Sequence, residues 1–267
     1  MTGASRGVGR QVALHLAVRG AAVAGIARAS AELTGLPEEA ARAGGRLRAF
    51  AADVTVPAEV ENAFAAVDAD LGAVTLAVAC AGTGGPLGPL HLADPEAWWR
   101  AVEVDLRGSM LTARSAVGRM VESGGGRFVT VYGNLGDRLG AYVSAFAAAK
   151  AGVARLTEVL AGEVADSGVL VFGIHPGLVR TPLTQRLAAW GGEGRAWLPR
   201  FGNGVEDRWG DGRPAAELVE AIALGRADAL SGRILHVGDN LTELAERCQT
   251  DQDLRRLRLR WDPPTSG

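Results

Sequence analysis

Lys150 follows Phe146 by four residues, in Phe146-Ala-Ala-Ala-Lys150, so the two side chains share one face if this segment is a helix. A lysine so placed can hold a ligand hydroxyl or tune a neighbouring acid. A phenyl ring has no proton to give or take. Near the other end, Thr2-Gly3-Ala4-Ser5-Arg6-Gly7-Val8-Gly9 runs into a helical pattern through Val12 and Leu16. Glycines at this spacing let the backbone turn tightly and approach a pyrophosphate, whose charge then sits on a helix N-terminus. Glycine clusters also make ordinary turns, so this motif gains weight only from its surroundings.

Those residues need a frame. Short apolar runs at 21–27, 47–52, 74–80, 127–132, 169–174 and 234–237 read as strands. Between them, Val60, Phe64, Val67 and Leu71 recur at helical spacing, as do Trp98, Val102, Leu106 and Met110, and Ala149, Val153, Leu156 and Leu160. Strands alternating with helices predict an α/β fold, a doubly wound parallel sheet of Rossmann type, in a single domain spanning 1–267. Two stretches break the rhythm. Residues 183–213 sit in a glycine-rich region with Trp190, Trp197, Phe201 and Trp209 and read as a lid or substrate loop. Residues 240–267 read as a C-terminal extension, whose basic part at 254–261 is a solvated tail segment or an edge strand.

Thr-Gly-x-x-x-Gly-x-Gly resembles the cofactor signature of the short-chain dehydrogenase/reductase family, and the resemblance continues along about nine-tenths of the chain. Asp53, followed by Val54, resembles the family's adenine-contacting aspartate. Ala81-Gly82 resembles the end of its Asn-Ala-Gly motif, with Cys80 where asparagine usually stands. Pro176-Gly177 followed by Thr181 resembles its Pro-Gly and nicotinamide-amide threonine. The resemblance implies a nicotinamide cofactor held by Thr2, Gly3, Ser5, Arg6, Gly7, Val8, Gly9, Arg28, Asp53, Val54, Ala81, Gly82, Lys150, Pro176, Gly177 and Thr181. NAD-specific members usually carry an acid after the second strand, where this chain has Arg28, and Arg6 lies in the glycine loop. Two guanidiniums suit a 2′-phosphate, so NADP(H) is favoured over NAD(H). The family also has a strand before the glycine motif, in the middle of the sheet, and here Met1 abuts Thr2. The reading is therefore a sheet lacking its first strand, with an unpaired slot, and a start that lies upstream of a valine read as initiator methionine.

In the family a tyrosine protonates the carbonyl oxygen as hydride arrives, a lysine four residues later tunes it and holds the ribose, and a serine and an asparagine complete the site. Carried over, Lys150 matches. The tyrosine position is Phe146, the serine position Gly133 and the asparagine position Asp105, on a helix expected over 98–120. Catalytic candidates are thus Lys150 and Asp105, the latter as a base through water, in an ion pair or in solvent. Tyr132, Tyr142, Asn134, Cys80, His15 and His91 are possible substitutes, each with an ordinary packing or turn role as its alternative. The resemblance implies a carbonyl or alcohol oxidoreductase, weak or atypical in its acid/base step. The other class is a nucleotide-binding sensor or partner subunit without turnover.

Composition narrows the rest. A net charge of -2 gives no electrostatic reason to invoke nucleic acid or an anionic membrane as partner. Two cysteines, Cys80 and Cys248, make no disulfide framework, and no clustered ligand set calls for a metal. A cytoplasmic protein acting on a small molecule, apolar or aromatic to suit the tryptophans at 183–213, is the expectation. Helices over 98–120 and 146–165 would form homodimer or homotetramer contacts, as the resemblance implies.

Overall fold

The computed structural model describes residues 1–133, 141–188 and 209–257. Six parallel strands form its frame: β1 Ala22–Ala27, β2 Arg46–Ala51, β3 Leu76–Ala79, β4 Gly126–Val131, β5 Val169–His175 and β6 Ile234–His236. β1 pairs with β2, Ala22 opposite Arg46. A second sheet has the order β3-β4-β5-β6, with Leu76 opposite Arg127, Gly126 opposite Val169 and Gly173 opposite Ile234. Every expected strand lies within two residues of an observed one.

Residues 1–4 lie between the two sheets at their carboxyl ends. Ile26 N donates to Met1 O at 2.8 Å, Ala4 N to Ile26 O, and Thr2 N to Val78 O at 3.0 Å. Thr2 also bridges Ile26 in parallel fashion. The slot expected between β1 and β3 is therefore filled at that end by backbone from the glycine motif's own leader. This is the part that matters for a site, because it fixes where the next turn begins.

The helices in chain order are α1 Gly7–Val18, α2 Ala31–Thr34, α3 Leu36–Arg42, α4 Pro57–Leu71, α5 Pro95–Val102, α6 Gly108–Glu122, α7 Ser144–Glu163, α8 Pro182–Ala188, α9 Arg213–Ala223 and α10 Leu241–Thr250. They cover both faces of the sheet. Val129, Phe172 and Ile174 face α1 and α9 through Val12, Leu16, Val219 and Ile222. Phe128 and Val171 face α4 and α6 through Val60, Phe64, Leu111 and Met120. Adjacent strand residues thus point to opposite layers, and both layers are apolar, as a buried parallel strand requires. No described helix is long and apolar enough to cross a membrane.

Two expectations are corrected, for the helix over 98–120 and for the segment after 250. The helix expected over 98–120 is interrupted: between α5 and α6, Glu103–Arg107 forms a π turn, which inserts a residue and re-aims the side chains around Asp105. Of the lid or substrate loop expected over 183–213, the described residues are those of α8 at its start and 209–213 at its end; Trp190, Trp197 and Phe201 lie outside the described residues. The extension after 240 begins with α10, and its described continuation, as far as residue 257, is not a solvated tail. Ile234 N donates to Arg255 O at 3.0 Å, Arg155 Nη2 to Leu257 O at 2.8 Å, and Leu257 N to the Glu158 carboxylate. That segment closes the free edge of β6 over α7.

Candidate active site

The glycine loop folds as it does because its neighbours leave no alternative. A Cβ on Gly3, which sits at φ +68°, would lie 2.7 Å from Ala81 N, and one on Gly9 would lie 2.2 Å from Gly3 O. Gly7 is at φ +59°, and a Cβ there would come within 3.1 Å of Thr181 Cγ2. So the loop is clamped between the ends of β3 and β5, and Thr2, Gly3, Gly7, Gly9, Ala81 and Thr181, far apart in sequence, form one cluster. Thr181 is itself held: its Oγ1 accepts from Thr184 N at 3.1 Å, and its own N–H donates to Thr184 Oγ1 at 2.8 Å. These caps open α8.

α1 begins in this cluster at Gly7. Arg6 precedes it without a capping side-chain bond, and its first turn carries no acid. Its first N–H groups and its dipole are therefore presented to an anion. Ser5 and Val8 line the same turn, Val8 packing into the core. The bare backbone, the close-packed glycines and the positive helix end fit a pyrophosphate. They lie at the carboxyl ends of the strands where the strand order reverses, the usual place for a dinucleotide.

Arg28 is exposed just past β1, and Arg6 is exposed beside the loop. Neither has an ion pair among the described residues. Asp53, just past β2, is tied down: its Oδ1 accepts from Thr55 N and Oγ1 at 2.9 and 2.7 Å, and Oδ2 from Arg100 Nη2 at 3.3 Å. Val54 is buried against Gly108. At the end of β5, Gly177 N donates to His175 Nδ1 at 2.9 Å, which fixes the Pro176-Gly177 turn beside Thr181.

Gly133, Phe146 and Lys150, the positions expected to serve an acid/base step, lie together. Gly133 ends the described part after β4, and a Cβ there would sit 3.1 Å from Phe146 Cζ. Positions 133 and 146 therefore face each other, the Phe146 ring edge lying over Gly133. Lys150, buried one turn on, donates from Nζ to Val131 O at 2.9 Å and lies 5.6 Å from the Phe146 ring centroid. The ring's negative face suits the ammonium group.

Two of the roles expected for Asp105, an ion pair and exposure to solvent, are not found. It is 0 % exposed, so it does not reach solvent, and it forms no ion pair with Lys150. Its Oδ1 accepts from Thr83 N at 2.5 Å and touches Gly82, while Oδ2 has no hydrogen-bond partner. The π turn aims it beneath the loop after β3, where it braces that loop. Burial pushes its carboxyl up from an ordinary 3.8 to about 6, against the pull of the Lys150 charge and the Thr83 N–H.

A pH dependence follows from this carboxyl. With the folded value above the unfolded one, stability relative to a side chain that never ionises is intact below about pH 4 and is lost as pH rises through about 6. The shift corresponds to roughly 3 kcal/mol once ionisation is complete. Asp105→Asn keeps an oxygen for Thr83 N, so it is expected to match wild type at pH 4 and to melt several degrees higher at pH 8. Thermal unfolding across that range checks it; a gap that is constant with pH would contradict a buried, titrating Asp105.

The other candidates find structural places. Tyr132 is 2 % exposed and packs with Ala154, Ile234 and Leu257, away from the crevice. Tyr142 is held at φ +70°, its carbonyl accepting from Gly88 N at 2.9 Å. Burial pushes the Cys80 thiol up to about 11, so it is protonated near neutrality and a poor nucleophile. His15 pairs with Glu220 at 2.6 Å, and His91 lies in a short 3-10 turn. Asn134 lies outside the described residues. Trp98 donates to Ser144 Oγ at 3.0 Å, whereas Trp99 is 57 % exposed.

What the sequence reading missed is the docking of α8. A Cβ on Gly84 would lie 2.4 Å from Leu183 Cδ1, and Arg186 Nη2 donates to Gly85 O at 3.0 Å. The paired glycines 84 and 85, after Ala81-Gly82-Thr83, are the signal that could have announced this close approach.

Comparison with known proteins agrees with this geometry. A family profile described as short chain dehydrogenase matches residues 1–192. The cis-4-hydroxycyclohexanecarboxylate dehydrogenase of Sinomonas cyclohexanicum is 36 % identical over 91 % of this chain and 95 % of its own length. The 3-oxoacyl-[acyl-carrier-protein] reductase FabG of Salmonella typhimurium is 29 % identical over 90 % of this chain and 95 % of its own. Among solved structures, an actinorhodin polyketide ketoreductase variant with NADPH superposes with a TM-score of 0.79 at 27 % identity, covering 90 % of this chain and 95 % of that one.

Proposed function

This chain belongs to the short-chain dehydrogenase/reductase family of oxidoreductases, and we propose that it uses NADP(H) to interconvert a small carbonyl compound and its alcohol, slowly for want of the usual proton donor. The observation that carries the reading is the cradle: backbone fills the Cβ positions of Gly3 and Gly9, and the Thr181 side chain crowds that of Gly7. In this reading Gly3, Ser5, Gly7, Val8 and Gly9 hold the pyrophosphate on α1, while Asp53 and Val54 flank the adenine. Ala81, Gly82, Pro176, Gly177, Thr181 and Lys150 hold the nicotinamide half. The cofactor, when bound, supplies or accepts a hydride.

The chain's own residues then decide the proton. A carbonyl that gains a hydride must also gain a proton on oxygen, and neither Phe146 nor Gly133 carries one. Lys150, fixed by Val131 O, keeps a positive charge under that position, which favours a developing oxyanion. Asp105 lies beneath the loop at Gly82 and Thr83, so it is a positioning residue for the nicotinamide wall. Water reaching the oxygen is the remaining proton source. The names of the relatives, a hydroxycyclohexanecarboxylate dehydrogenase and a 3-oxoacyl reductase, support a secondary alcohol or ketone as the reacting group. A cytoplasmic homodimer or homotetramer is part of the reading, by the habit of the family.

A second reading has its own support. The Phe146 edge fills the space above Gly133 that a substrate oxygen would share with two hydroxyls, which favours a nucleotide-binding subunit without turnover.

Cofactor choice is testable on binding alone. NADPH is expected to bind about tenfold or more tightly than NADH, because Arg28 and Arg6 are free to pair with the 2′-phosphate. Arg28→Glu should reverse or erase that preference. Fluorescence titration of both nucleotides measures it, and a preference untouched by Arg28→Glu would refute the assignment.

A further inference from the structure

Accepting that a carbonyl or alcohol reacts in this crevice, we propose that Arg186 recognises a carboxylate carried by the substrate, away from the reacting carbon. α8 spans the crevice. Its start is Thr181, lying on Gly7 of the glycine loop. Its other contacts are with the loop after β3, Leu183 on Gly84 and Arg186 on Gly85. Gly85 in turn packs on the acid/base helix: a Cβ there, already strained at φ +65°, would meet Ala101 Cβ at 2.9 Å and Ala145 Cβ at 3.1 Å. Ala145 precedes Phe146. The guanidinium of Arg186 is therefore held one contact away from the helix turn that faces Gly133.

Arg186 is exposed, donates one N–H to a backbone carbonyl, and has no carboxylate partner among the described residues. By contrast, Arg119 binds Glu61 and Asp68, Arg127 binds Asp228, and Arg213 binds Glu217. A guanidinium anchored by one arm keeps its remaining donors in a planar fork suited to a carboxylate. From Thr181 to Arg186 is five residues, about 7.5 Å of helix rise. That is a span for a compact molecule with its reacting carbon near Thr181 and its anionic end under Arg186. Leu183 on α8 and the Phe146 edge are apolar and partly exposed, which suits a hydrocarbon body joining the two ends.

The test is an equilibrium comparison of cyclohexanecarboxylate with cyclohexanecarboxamide, which share shape but not charge, by calorimetry on the full chain with and without NADP+. Wild type is expected to favour the carboxylate by about tenfold, the discount from a buried pair reflecting solvent at the mouth. In Arg186→Met the ratio should fall to about one, and in Arg186→Lys to an intermediate value. No preference in wild type, no measurable carboxylate binding, or a preference that survives Arg186→Met would each overturn the proposal. Failure of the proposed function is read separately, as failure of NADPH to bind, since the carboxylate comparison is also made on cofactor-free protein.

Discussion

Phe146→Tyr is expected to raise the rate of ketone reduction by NADPH about 10²–10⁴-fold, the usual worth of a positioned proton-transfer group. The geometry is already in place for it. The ring lies on the same face of α7 as Lys150, 5.6 Å from its ammonium, and a tyrosine hydroxyl would extend from Cζ, the ring atom nearest a Cβ built on Gly133. The positive charge beneath would lower the phenol's pKa. Gly133→Ser alone should not help, because its Cβ would come 3.1 Å from Phe146 Cζ and the ring would have to yield. Steady-state oxidation of NADPH against a panel of cyclic and acyclic ketones measures the effect in wild type, both single variants and the double variant. If Phe146→Tyr binds NADPH yet turns over no faster than wild type, the crevice is not a hydride-transfer site limited by its proton. The reading as a nucleotide-binding subunit would then prevail.

The second large effect concerns the cradle. Gly9→Ala should weaken NADPH binding by about a hundredfold or more. Its Cβ would fall 2.2 Å from Gly3 O and 2.8 Å from Gly3 C. Both are backbone atoms, so no rotamer can relieve the clash, and overpacking of this kind typically costs about 1–3 kcal/mol. Relief requires Gly3 to move, but Gly3 is wedged against Ala81 N, so the whole loop shifts off α1. The N–H groups at the start of α1 then no longer converge on one anion. Gly118→Ala is the matched control, since a Cβ at that helical position meets nothing within 4 Å. Nucleotide titration and circular dichroism together separate loss of binding from loss of fold; unchanged affinity in Gly9→Ala would place the nucleotide elsewhere.

The strands were legible because a strand covered on both faces is an almost unbroken apolar run, as in Val169–His175. The glycine loop was legible because its constraint is local and chemical: only glycine meets Gly3's φ of +68° against the Ala81 backbone without strain. The π turn at Glu103–Arg107 left no mark, since the apolar positions at 98, 102, 106 and 110 keep a helical period through it. With the turn unseen, the burial of Asp105 was unseen too, and its expected routes to solvent or to Lys150 were both wrong. The helix within 183–213 was hidden for another reason. What stabilises it in place is contact with Gly84 and Gly85, about a hundred residues away, and such pairings are not written in local periodicity.

Everything turns on whether this crevice takes a pyridine nucleotide at all. Fluorescence titration of the full chain with NADPH tests that directly. Saturable, one-site binding in the micromolar range or tighter, competed by NADP+, is the expected result. A chain that is folded by circular dichroism but binds neither NADPH nor NADH would contradict the account at its base.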